Sequence, residues 1–144
     1  MVVMHITAGQ LARGPEIGSI KVYNSPYSAR NIVVLNGRMA IITMYDKARK
    51  RRGNTEYILR YLPDDVSQLL AQYLVYIRPF ARVLNHGESE YLFADVQGPW
   101  AGEQLSRELA KETTDHLGVR LTIMQWRHIA ISIAVEWLTK ASKT

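Results

Sequence analysis

Apolar positions recur along this chain in two rhythms, and the change from one to the other marks out its elements. In "RNIVVLNGRMAIITMY", β-branched and apolar residues run on either side of Asn36-Gly37. That dipeptide supplies the positive φ angles of a type I′ turn, so the run predicts a β-hairpin. "EYILRYL" predicts a third strand. From "PDDVSQLLAQYLVYIRPF" onward the rhythm is helical, with Val66, Leu69, Leu70, Tyr73, Leu74 and Ile77 at helical spacing. Pro63 or Asp64 starts this helix, and Pro79 is expected to end or kink it. Tyr73 and Tyr76 are expected to be packed. "AGEQLSRELAKETTDHLG" predicts an amphipathic helix stopped by Gly118. "TIMQWRHIAISIAVEWLTKAS" predicts a last helix. It is apolar on more than one face, so a central position is expected, with Trp126 and Trp137 in the core.

Ahead of the hairpin, residues 1–12 carry no charged side chain and read as the end of a buried helix. "RGPEIGSI" follows, with Pro15 at a first helical position and Gly18 breaking the turn. Residues 84–99 read as a loop around "YLFADV". No repeat, low-complexity segment or internal boundary interrupts the chain, which predicts one domain over residues 1–144. The fold class expected is α+β, mainly helical with a small three-stranded antiparallel sheet.

Composition narrows the classes. A chain of 144 residues with 47% hydrophobic and 22% charged positions is long enough for one domain with a core. No apolar run approaches the roughly 18 residues of a membrane span, and no signal-peptide pattern opens the sequence. There is no cysteine, which excludes disulfides and cysteine-type zinc sites. His5, His86, His116 and His128 are scattered without ligand-like spacing, so no metal and no cofactor are expected.

Charge changes the picture more. The net +5 is uneven: residues 13–60 hold ten basic side chains against three acidic ones, and residues 61–144 hold eight against ten. Five of the six residues from Lys47 to Arg52 are basic, on the loop joining the second and third predicted strands. Such a knot attracts an anion, and the asymmetry suits a nucleic-acid-binding surface. Arg49, Lys50, Arg51 and Arg52 are therefore candidate DNA-binding residues. The same run reads as a nuclear localisation signal, or as a site for an acidic protein.

No glycine-rich nucleotide loop and no GxSxG elbow is present. Asp64-Asp65 is explained by helix-start electrostatics. What remains is a set of separated cations: Arg13 and Glu16 in "TAGQLARGPEI", Lys47 on the sheet's loop, the "RYLP" helix start, and Arg127-His128 in "IMQWRHIAI". This order resembles the catalytic domain of tyrosine recombinases. In particular it is similar to the recombinase-like region of fungal Crypton-type elements and to the amino-terminal part of fungal telomere-linked RecQ-like helicases. The similarity runs from about His5 to Ala134.

The resemblance implies a recombinase catalytic-core-like fold that meets double-stranded DNA, in the nucleus, in a setting of DNA recombination and integration by mobile elements. It assigns catalytic roles to Arg13, Lys47, Arg127 and His128, with Glu16 in support. Two guanidiniums grip the non-bridging oxygens of a phosphate and stabilise a pentavalent transition state, while a lysine protonates the departing oxygen. That scheme requires no metal and no ATP. Arg13 and Arg127 are then expected to converge on one cleft, with Lys47 at its rim and Glu16 beside one of the arginines as counter-charge.

Two positions depart from the family pattern. Met124 stands where the widespread box has a proton-carrying histidine. No tyrosine follows Tyr91, so the nucleophile is missing from this chain. The reading is therefore backbone binding of duplex DNA by a recombinase-derived domain truncated at its C-terminus, a fragment of a larger protein that is inactive alone, with a homo-oligomer on DNA as a further expectation. The alternatives are an active recombinase completed by a further segment or partner, and a protein-interaction or nuclear-targeting module.

Overall fold

The computed structural model describes residues 1–9, 12–45, 56–84, 89–95 and 97–141. Its architecture is α+β, mainly helical with one three-stranded antiparallel sheet, as the patterning predicts. Two short helices come first, α1 (Val2–Thr7) and α2 (Gly14–Gly18). The hairpin follows as β1 (Ile32–Leu35) and β2 (Arg38–Tyr45), turning through Asn36 at φ 52° and Gly37 at φ 77°. Both central residues take the positive φ that a type I′ turn requires. The third strand, β3 (Glu56–Tyr61), pairs antiparallel with β2, so that Ile41 faces Arg60 and Thr43 faces Ile58.

Next comes α3 (Asp64–Gln72), with Asp64 and Asp65 in its first turn, where the helix dipole favours acids. Pro79 does not end the helical run. A π-helical stretch, Tyr73–Ile77, carries the chain into α4 (Arg78–Leu84). Proline has no N–H for the helix ladder and crowds the preceding turn, and a wider turn just upstream makes room for it. Tyr73 packs against the core, whereas Tyr76 is exposed, contrary to expectation.

The predicted loop around "YLFADV" contains a small ribbon, β4 (Ala94–Asp95) and β5 (Gly98–Pro99). Residues 20–22 run alongside 90–92, joined by hydrogen bonds from Val22 N to Glu90 O and from Leu92 N to Ile20 O. Asn31 ties this pair to the sheet. Its Oδ1 accepts from Lys21 N at 2.7 Å, and its Nδ2 donates to Ile42 O at 2.7 Å. Buried Arg78 closes the same corner by donating to the carbonyls of Ser89 and Tyr91.

Two long helices complete the chain, α5 (Gly102–Leu117) and α6 (Ile123–Ala141). Gly118, at φ 67°, caps α5 in the left-handed conformation, as its position predicts. The core gathers Met4, Ile17, Ile20, Ile41, Leu62, Leu92, Leu105, Leu109 and Ile123 between the sheet and the helices.

The expectation that the last helix is central is corrected. Only the first turns of α6 are packed, through buried Ile123 and partly buried Trp126. Beyond them Ile131 is 54% exposed, Val135 57%, Leu138 70% and Trp137, expected in the core, 72%. Apolar residues all round a helix say that it prefers cover. They do not place that cover within the same described chain. Among the described residues no helix is long and apolar enough to cross a membrane.

Candidate functional site

Arg13 stands at the N-cap of α2 in extended conformation, φ −77° and ψ 158°. Glu16, three residues on, reaches back. Its Oε2 accepts from Arg13 N at 3.2 Å, and its Oε1 lies 4.0 Å from Arg13 Nε. A carboxylate at this helix position satisfies an orphan backbone donor and meets the positive end of the helix. The helix itself is held by close backbone approach. A Cβ on Gly14 would stand 3.0 Å from the Cα of Gly102, at the start of α5, and one on Gly18 would run into the carbonyl oxygen of Trp100.

From α2, Glu16 also faces the sheet. Its Oε2 lies 3.5 Å from Nη2 of Arg60, an arginine only 5% exposed on the inner face of β3. Nη1 of Arg60 donates to the buried hydroxyl of Thr43 on β2. Burial pulls the pKa of Arg60 below the ordinary arginine value, and the charge of Glu16 pulls it back up. Buried cations need such partners.

A third element brings His5. It lies on α1 and is 4% exposed. Burial first, then the fields of Arg127 and of Arg60, push its pKa from 6.5 down to about 4. The imidazole is therefore neutral at pH 7. The charges of Arg127, on α6, and of Arg60, on β3, both act on this one histidine. His5 Nε2 and Arg127 Nε are buried and make no hydrogen bond among the described residues.

Glu16 thus links Arg13 on α2 to Arg60 on β3, while the charges of Arg60 and of Arg127 on α6 both act on His5 of α1. Glu16 is the carboxylate that lies beside both Arg13 and Arg60. Forked guanidinium N–H donors match the paired oxygens of a carboxylate or a phosphate.

Of the residues singled out from sequence, Glu16 stands beside Arg13, and the partly buried Arg127 acts on His5 through its charge. His128 is exposed on α6, and no described contact ties its side chain to the cluster. Lys47, Arg49, Lys50, Arg51 and Arg52 lie outside the described residues.

Arg60 and His5 were not among the candidates. Strand alternation puts Ile58, Arg60 and Leu62 on one face and Tyr57, Leu59 and Tyr61 on the other. Hydrophobicity alone favours the second set as the inner face. The structure turns that set outward, with Tyr57 68% and Tyr61 46% exposed, and buries Arg60. A lone arginine inside the "RYLP" run was the available signal.

No protein-family model matches the chain, and no solved structure matches it at a significant level.

Proposed function

We propose that this chain binds duplex DNA through the phosphate backbone, as a recombinase-derived domain whose own sequence lacks the nucleophile. Arg13 and Arg127 grip a backbone phosphate, Glu16 and Arg60 hold that site in shape, and the basic run Lys47 to Arg52 meets neighbouring phosphates. Nuclear residence and self-association on DNA belong to the same reading. The single observation that supports it most is the half-buried Arg127, whose Nε–H has no acceptor among the described residues. An unmatched buried donor on a cation is costly, and an anionic oxygen is the partner that relieves it.

The test is duplex binding measured against salt. A log–log slope of roughly −3 to −5 is expected if about four to six phosphates are neutralised. Arg127→Ala and Arg13→Ala should each weaken binding, and replacing Arg49, Lys50, Arg51 and Arg52 by Ala should flatten the slope. Affinity indifferent to salt and to both arginines would overturn the reading.

A further inference from the structure

One helix of this fold runs past the body that holds it. In α6, Ile123 is buried and Trp126 and Ala130 are partly buried, spaced three and then four residues apart on one side of the helix. The same side continues through Ala134 and Trp137, four and then three residues on, and both of these are exposed. The face that packs at the start of α6 therefore overhangs the body. Every residue from Ile131 to Lys140 is exposed. At helical spacing, Ile131, Ile133, Val135 and Leu138 widen the apolar face beyond half the circumference. Ser132, Glu136, Thr139 and Lys140 share the remaining strip and find partners within the helix. Ser132 Oγ donates to His128 O at 3.0 Å, Thr139 Oγ1 donates to Val135 O at 2.7 Å, and Lys140 Nζ lies 2.7 Å from Glu136 Oε1.

We propose that this arm, Ile131 to Lys140, is a pairing surface for the same arm of a second copy of the chain, the two lying antiparallel about a two-fold axis between Ala134 and Val135. Area, charge and symmetry select this occupant. The apolar side chains of the arm expose roughly 700 Å², against the about 800 Å² that one partner contributes to a stable interface of standard size. The charged residues of the arm, Glu136 and Lys140, pair with each other, in a chain of net charge +5. Two copies therefore meet there without the repulsion that their basic surfaces would bring. The same neutrality disfavours nucleic acid, whose phosphates call for cations, and an anionic membrane, which calls for lysines and arginines along the polar strip. Isologous pairing gives each arm the one surface that matches it. Small Ala134 beside the axis lets the backbones come close, and the antiparallel direction sets Leu138 of one copy against Ile131 of the other. This goes beyond the DNA-binding reading: it concerns the free chain, and it names the surface on which the self-association of that reading would occur.

The full chain is weighed by sedimentation equilibrium without DNA, at concentrations up to about 100 μM, because a dimer forms by mass action. A mass of two chains is expected. Leu138→Glu and Ile131→Lys each put a charge into the apolar seam, and each should give a monomer, with the dissociation constant raised about 100-fold or more. Both positions lie beyond the packed turns of α6, so far-ultraviolet circular dichroism should show each monomer still folded. Mixed in equal amounts, the two variants should form a one-to-one dimer, since antiparallel pairing brings their opposite charges side by side. A wild-type monomer, a dimer indifferent to both substitutions, or a mixture that stays monomeric overturns the proposal. A wild-type monomer retained by phosphatidylcholine vesicles would overturn it in favour of a lipid surface. Duplex binding, measured separately, keeps the two claims apart. A dimer that ignores DNA overturns the duplex reading and leaves the arm pairing standing, and a monomer that binds DNA does the reverse.

Discussion

Glu16 and Arg60 meet at 3.5 Å across the interface between α2 and the sheet, and they join two segments of the chain 44 residues apart. Glu16 holds a helix start through the backbone of Arg13 and holds a buried strand cation through the same carboxylate. Replacing it by Gln keeps the shape and removes the charge. Arg60 would then be buried without the charge of Glu16, and we expect a loss of about 3 kcal/mol in chemical denaturation. Arg60→Met, which removes the charge that needs a partner, should cost less. A loss below about 1 kcal/mol for Glu16→Gln would mean that groups other than Glu16 satisfy Arg60.

Stability should depend on pH through His5. Its folded pKa of about 4 lies below the ordinary 6.5. Between those values the unfolded chain binds a proton that the folded chain does not. Folding therefore has its full stability above about pH 6.5 and loses it as pH falls toward 4, by up to roughly 3 kcal/mol. Urea midpoints measured at steps from pH 7.5 to 4.5 check this. His5→Gln should flatten the slope in that window. A slope unchanged by the substitution would assign the effect to other groups.

Gly18→Ala should be costly although Gly18 has an ordinary backbone conformation. The added Cβ would meet the carbonyl oxygen of Trp100, and neither backbone can step aside without parting α2 from the start of α5. A loss of about 2 kcal/mol is expected, the scale of an overpacked core. Because α2 carries Arg13 and Glu16, DNA affinity should drop as well. Retained stability would show that the two segments slide freely.

Suicide DNA substrates should trap no covalent adduct with this chain. It has no tyrosine after Tyr91, so the nucleophile of the recombinase scheme is not in its sequence. A protease-sensitive, denaturant-resistant adduct on a gel would contradict this, and the mapped residue would name the nucleophile.

Local chemistry was legible in the sequence wherever a short stretch decides its own conformation. Asn36-Gly37 makes its turn because of φ preferences that need no neighbours, and Gly118 ends its helix for the same reason. The inward arginine of β3 was not legible. Both faces of "EYILRYL" are apolar enough to be buried, and the choice fell to the carboxylate that α2 brings across from Glu16. The action of the Arg60 and Arg127 charges on His5 is likewise a product of tertiary packing, since electrostatic coupling depends on distance in space and not on spacing along the chain. The last helix failed in the opposite sense. Its hydrophobicity states a need for cover, but where an apolar face finds it depends on what packs alongside, and around Trp137 the described chain supplies nothing.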